Sequence, residues 1–438
     1  MRLTRRGMMK TAAAALAAPY IVPASARGAE GKPAPSRRVS IGMIGVGRQG
    51  TLANLRTFLS YDDVHIPVVC DVDAWRMENA RKMVDDAYSK KGRAAEAKGC
   101  AACKDFREVL ARPDVDAVMI STPDHWHVPM AIAAARAGKD VALEKPLTLC
   151  VAEGRALSDA MTRYGRVFRT DSEARSLGFF HKAAELVRNG RIGKLHTIRT
   201  GVPRGDVAGG NPAPMPVPEE LDWPLWLGPA PEAAYTVDRV HEPRKLDRPG
   251  WMRIRDTCEG MITNWGTHIN DIAQWGHNTE RTGPVEVEGK GTYPATGLWN
   301  VLIDFEVAYR FADGVQMFYK MDRPYVRFEG SEGWIQADWT RNALSSQPES
   351  LAKSPTLPGE VHLPLKSEKR DFVDCVKTRG QTIADAEVGH RTTTLCQLGH
   401  IAIQVGRKLK WDPVAEQFPD DPEANRLLTR FMRAPWQL

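Results

Sequence analysis

Long apolar runs are scarce in this 438-residue chain. Near its start, Thr11 to Val22 falls short of the roughly 20 residues a membrane-spanning helix needs. Charge of one sign is not in excess, with 60 Lys and Arg against 54 Asp and Glu. That balance excludes a polyelectrolyte tail and gives no footprint for nucleic acid. Cysteine is sparse and odd in number, at seven. Cys100-Ala101-Ala102-Cys103 has no second CxxC for zinc and no thioredoxin-like context, so a surface-loop disulfide or two free thiols is expected, and no metal site. Internal repeats are absent, as is any recognisable pair of carboxylates for ordinary glycosidase chemistry. What remains is a chain of ordinary globular composition, 42% hydrophobic and 26% charged, long enough for two domains.

The N-terminus reads as an export signal. Arg5 and Arg6 precede the short apolar run, and Ala24-Ser25-Ala26 supplies the small residues that signal peptidase requires. Paired arginines favour the twin-arginine machinery, which carries folded proteins. Residues 1–26 are therefore assigned as signal and 27–37 as linker. The mature protein is expected in the periplasm without stable membrane insertion. Loss of the signal's cations, Arg2, Arg5, Arg6 and Lys10, takes the formal net charge from +6 to +2.

From Arg38 onward strand and helix patterns alternate. Strands are expected at 39–44, 66–70, 115–120, 140–143 and 167–170, with helices near 49–60, 74–90, 131–137 and 151–164. Alternation of this length implies an α/β domain, a doubly wound parallel sheet over 38–170. After Gly193 the texture changes. A strand is expected at 195–200, a Pro-rich loop at 211–218, and a hairpin whose runs 301–311 and 314–321 meet at Ala312-Asp313-Gly314. Residues 171–438 read as an α+β domain with a largely antiparallel open sheet. Its final helices, near 369–379 and 386–405, are expected to pack back on the first domain.

Gly45, Gly47 and Gly50 make a GxGxxG that follows a strand, opens a helix and has an acid, Asp71, about twenty residues on. In that context the glycines let backbone N–H groups approach a pyrophosphate at a helix N-terminus. Arg48 and Gln49 lie within the same turn. Asp71 is expected to accept from the ribose hydroxyls, favouring NAD, while Arg48 and Arg76 leave NADP open. Thr122-Pro123-Asp124-His125-Trp126-His127 and Glu144-Lys145-Pro146 follow strands at their carboxyl ends, where open α/β sheets bind ligands. Thr122, Pro123, Asp124, His127, Glu144 and Lys145 are counted as cofactor-binding, and His125 as a buried histidine satisfied by backbone. Core packing is the expectation for Trp223, Trp226, Trp251 and Trp265, with room for a sugar-stacking platform among them.

These blocks, with Asn264-Trp265-Gly266-Thr267-His268-Ile269-Asn270-Asp271, resemble the Gfo/Idh/MocA family of glucose–fructose oxidoreductase, inositol dehydrogenase and rhizopine-catabolism proteins. The resemblance implies a Rossmann domain followed by an α/β domain whose open sheet forms dimers or tetramers. It implies tightly bound NAD and a small carbohydrate or polyol substrate. It places Lys145 and His268 at the reaction centre, with Asn264, Arg175 and Asp271 on the substrate. Asn264 departs from the family's usual aspartate, and an amide cannot take a proton. Removal of the hydroxyl proton then falls to His268 or to a Lys145 depressed by burial, with Asp271 either orienting His268 or forming a salt bridge. Three functions follow: a sugar or polyol dehydrogenase, a glycosidase that oxidises its substrate transiently, and a non-catalytic nucleotide binder.

Overall fold

The computed structural model describes residues 34, 37–93 and 99–438. The expected export signal, residues 1–26, lies outside the described residues. Seven strands of the first domain are β1 (Val39–Ile44), β2 (Val64–His65), β3 (Val68–Cys70), β4 (Ala101–Cys103), β5 (Ala117–Ile120), β6 (Asp140–Leu143) and β7 (Phe168–Thr170). They run parallel in the order β4-β3-β1-β5-β6-β7, with β2 alongside β1. Helices cover both faces, so β5 and β6 are buried throughout. The strand order reverses between β1 and β5, and a crevice opens at their carboxyl ends.

The expected strand at 66–70 is shortened to β3 by Pro67, which has no N–H to donate to a ladder, and the separate two-residue β2 precedes it. The first helix begins with a π-helical turn, Gly50–Leu55, and continues as Arg56–Ser60. β4 went unforeseen because it is only three residues long. It carries Cys103, the register partner of Cys70 on β3, and all seven cysteines are free thiols.

The second domain holds β8 (Leu195–Pro203), β9 (Glu286–Thr292), β10 (Asp304–Arg310), β11 (Gln316–Asp322), β12 (Tyr325–Gly330), β13 (Gly333–Asp338), β14 (Ala343–Gln347) and β15 (Leu409–Lys410). Their order is β14-β13-β12-β8-β11-β10-β9-β15, antiparallel except where β8 meets β11. The hairpin between β10 and β11 closes as expected, with Phe311 N–H donating to Val315 O at 2.9 Å and Gly314 at φ +91°. Burial alternates along β10 and β11, so one face of the sheet packs on helices and the other is exposed.

The helices of the second domain return to the first. The helix Glu368–Thr378 places Phe372 and Val373 in the core beside β1. From the helix Ala386–Val405, Gln397 donates to Thr148 O at 3.1 Å and Thr393 accepts from Leu147 N–H at 3.3 Å. Deeper still, Arg175 after β7 grips Asp271 of the helix Gly266–His277 with two bonds of 2.7 Å. Arg175 also meets Glu280 at 2.8 Å, and Asp271 accepts from Ser172 Oγ at 2.7 Å and Thr392 Oγ1 at 3.3 Å.

Both side chains of the Arg175–Asp271 pair are 2% exposed. Removing one partner from such a pair strands a buried charge and costs about 3–5 kcal/mol. Asp271→Ala is expected to lower the urea midpoint by that equivalent. The double variant Arg175→Met/Asp271→Leu should recover most of it. A midpoint unchanged in Asp271→Ala would show that the pair is not what joins these elements.

Candidate functional site

The crevice at the β1–β5 reversal opens into a cleft of about 360 Å³ between the domains. Its floor is the glycine turn. Gly45 has φ +79°, and a Cβ there would come within 2.7–2.8 Å of the Ser121 backbone. Thr51 Oγ1 pins the turn from below by donating to Val46 O at 2.6 Å. Gly50 lies outside the cleft; its role is packing, since a Cβ would reach 2.1 Å from Gly45 O. Gly47, Arg48 and Gln49 do line the cleft.

Asp71 lines the same floor and is tied to it. Its carboxylate accepts from Val46 N–H at 2.8 Å and Asp73 N–H at 2.9 Å. Burial pushes its pKa up, against the opposing charge of Arg76. The Arg76 guanidinium would touch a Cβ at Gly47 at 2.9 Å, so it sits over the turn.

Part of the nucleotide wall comes from the second domain, which sequence pattern did not reveal. Ala74 N–H donates to Glu220 O at 2.9 Å and Asp222 N–H to Val72 O at 3.0 Å. His241 Nε2 meets Asp73 Oδ2 at 3.0 Å, and Arg76 donates to Lys245 O at 3.2 Å. These ties fasten residues 220–252 over the Asp71 end of the cleft, and Arg248, Trp251 and Met252 line it.

The reacting end is built from three segments. Lys145 follows β6, and its Nζ donates to the backbone O of Asn264 at 3.1 Å. Glu144 accepts from Asn54 Nδ2 at 2.9 Å, linking the loop to the first helix. His127 does not line the cleft. Its ring nitrogens contact Pro146 O at 2.8 Å and Thr122 O at 3.0 Å, so it staples the two strand-end loops together. His125 is a buried histidine on Trp226 O at 3.1 Å, with its pKa pushed down to about 3 by burial.

His268 and Asn264 both line the cleft although the helix between them is interrupted at Trp265. Burial, reinforced by Lys145 and Lys369, holds the His268 pKa well below its usual value, so the imidazole is neutral. Trp265 and Trp339 stand against it, with ring centroids 5.7 and 5.4 Å from the imidazole. Trp226, Trp251 and Trp265 line the cleft as well.

Arg175 and Asp271 are not at the cleft. The expectation that they touch substrate is corrected by their pairing with each other, which leaves neither group facing the cavity. The residue missed is Glu173, two positions before Arg175, which faces the cleft beside Lys145. No motif announced it, because only the turn Glu173–Ser176 decides which of its side chains points inward.

Five buried polar atoms of cleft residues, Arg76 Nε, Thr122 Oγ1, Asp124 Oδ2, His241 Nδ1 and His268 Nδ1, have no hydrogen-bond partner among the described residues. A dinucleotide with a polar substrate supplies what such atoms require. Together with the glycine turn and Asp71, they fit NAD. Residues 39–172 match the model of the oxidoreductase family's NAD-binding Rossmann fold, and residues 207–438 match its C-terminal alpha/beta domain. The chain belongs to the Gfo/Idh/MocA oxidoreductase family. It is 40% identical over 128 residues to a glycosyl hydrolase family 109 protein of Saccharopolyspora erythraea, covering 29% of this chain and 27% of that one. It is 31% identical over 177 residues to the myo-inositol 2-dehydrogenase of Thermotoga maritima, covering 40% and 47%. The matches thus span about a quarter to a half of those relatives. Among solved structures, the aldose-aldose oxidoreductase of Caulobacter crescentus complexed with glycerol superposes with a TM-score of 0.60 at 19% identity, over 85% of this chain and all of that one.

Asp124 has a consequence for pH. Burial pushes its carboxyl up to about 8, so at neutral pH it carries a proton and can donate. Above about 8 it becomes an anion facing an anionic dinucleotide. Titration of NAD by protein fluorescence is expected to show wild-type affinity falling several-fold between pH 7 and 9. Asp124→Asn should bind as the wild type at pH 7 and lose that dependence; an equally steep fall in the variant would assign it elsewhere.

Proposed function

We propose that this protein is an exported NAD-dependent oxidoreductase that removes hydride from a carbinol carbon of a sugar or cyclic polyol. The observation that carries the reading is the convergence of Lys145 and a neutral His268 on one cleft with the glycine turn. NAD, when bound, supplies the hydride acceptor. A neutral imidazole is the form able to take the hydroxyl proton as the carbonyl forms. Lys145 Nζ, held by Asn264 O, donates to the substrate oxygen and orients it. Asn264 aids through its backbone, which explains why an amide serves where relatives carry a carboxylate. The aromatic wall at Trp265, backed by the Trp339 ring behind it, limits the access of water to the reacting carbon.

Export is supported by the sequence of Thr4 to Ala26, and NAD over NADP by Asp71, a carboxyl group in the cleft floor that disfavours a 2′-phosphate. Assembly into dimers or tetramers through the exposed sheet face is part of the same reading. A second reading, transient oxidation within a glycosidase, is favoured by the segment 220–252, which encloses the cofactor side and suits a nucleotide that is not exchanged at each turnover. The relative from Saccharopolyspora erythraea carries a glycosyl hydrolase name.

NADH formation with a panel of sugars and polyols tests the first reading. Lys145→Met is expected to lower kcat by about 10²–10⁴. The mass of the nucleotide released on denaturation should be unchanged. Wild-type protein that holds NAD yet gives no NADH with any polyol, and no aryl alcohol from aryl glycosides, would overturn both readings.

A further inference from the structure

The cleft holds one more proton-transfer group than a dehydrogenase needs. Glu173 opens the turn Glu173–Ser176 just beyond β7, and its side chain lines the cavity with Lys145, Asn264 and His268. The turn is clamped on both sides of it. Ser172 Oγ and Arg175 hold Asp271, Arg175 donates to Ile383 O at 3.0 Å, and Ser176 Oγ donates to Lys366 O at 2.8 Å. Glu173 is thereby fixed in place rather than carried on a mobile loop.

Its carboxyl differs from its acidic neighbours. Glu144 is engaged by Asn54, Asp171 by Lys369 at 2.5 Å, and Glu368 by Ser176 and Lys369. Among the described residues, none of the hydrogen bonds or ion pairs engages the Glu173 carboxyl. Burial and the negative charges of Glu144 and Glu368 push its pKa up, while Lys145 and Lys369 pull it down. The result is a carboxylate of enhanced basicity, open to a ligand.

Hydride abstraction from an alcohol requires a single base, and His268 provides it while Lys145 donates to the substrate oxygen. We propose that Glu173 acts on carbon: it removes the proton next to the newly formed carbonyl of a glycoside. This rests on the second reading above and names the residue that would make it work. The carbonyl lies two carbons from the anomeric carbon, so the C–H between them is acidified. Glu173 takes that proton, the C–H electron pair becomes a carbon–carbon double bond, and the glycosidic C–O bond breaks with its own pair. The departing oxygen leaves as the alcohol. Water then adds to the anomeric carbon, supplying hydroxyl there and, in net terms, the alcohol's proton. Glu173 returns its proton to the neighbouring carbon, and the carbonyl regains hydride and proton. The sum is hydrolysis with no net redox change.

The step can be isolated with a nitrophenyl glycoside already oxidised at the carbon two positions from the anomeric one, which needs no hydride transfer. In deuterated buffer the wild-type protein is expected to release nitrophenolate above the buffer rate and to place deuterium at the intervening carbon. Glu173→Gln, with NAD affinity and thermal midpoint unchanged, should do so at least about 100-fold more slowly. Glu173→Ala should regain activity with added formate, which settles the role even if the glutamine variant folds poorly. Release by Glu173→Gln at the wild-type rate, or an alanine variant that formate does not rescue, would overturn the assignment. A wild type that ignores the keto-glycoside but forms NADH from sugars would overturn both this step and the glycosidase reading, leaving the dehydrogenase reading standing.

Discussion

Arg175 and Asp271 form the contact on which the geometry of the cleft depends. Both are buried, and an ion pair out of water repays its desolvation only when its remaining donors and acceptors are satisfied. Here they are: Asp271 receives Ser172, Arg175 and Thr392, and Arg175 also reaches Glu280 and Ile383 O. The pair thereby locks three elements together. These are the turn that presents Glu173, the helix that presents His268, and the C-terminal helix that closes against the first domain.

Around that anchor, burial sets the charge states. His268 and His125 are held neutral because an imidazolium would be stripped of solvent, and Asp124 holds its proton for the same reason. In the proposed reaction a neutral imidazole at His268 takes the proton that the amide of Asn264 cannot. Desolvation beside Lys145 fixes the protonation state before substrate arrives by lowering the imidazole's pKa, where a paired aspartate would raise it. The carbonyl of Asn264 gives Lys145 its direction, and a backbone acceptor is indifferent to the identity of the side chain attached to it.

Much of the fold was legible in the sequence. The helices Ala74–Lys90, Val151–Tyr164 and Ala386–Val405 lie where their apolar spacing put them, and the Asp-Gly hairpin joins β10 to β11. Short elements were not: β4 has three residues, too few for a period-2 pattern, and Pro67 cut an apolar run that otherwise reads as one strand. In the site, the glycine turn and the residues ending β5 and β6 were visible because strand-end motifs carry their own backbone requirements. The lining supplied by residues 220–252 was invisible, since its ties to Val72, Asp73 and Arg76 join positions some 150 residues apart, about the reach only a folded chain brings together.

By itself the sequence determined the parallel sheet and the nucleotide turn, because each follows from local spacing and from motifs that span a few residues, while Lys145 and His268 came from the resemblance to the family. Only the tertiary structure decided which polar groups near the cleft face it. Arg175 and Glu173 share one short turn, and either could have reached the substrate as far as residue type is concerned. The partner waiting across the domain boundary, Asp271, drew the arginine into the core, because a buried carboxylate is stable only against an opposite charge. The glutamate was left to face the cavity.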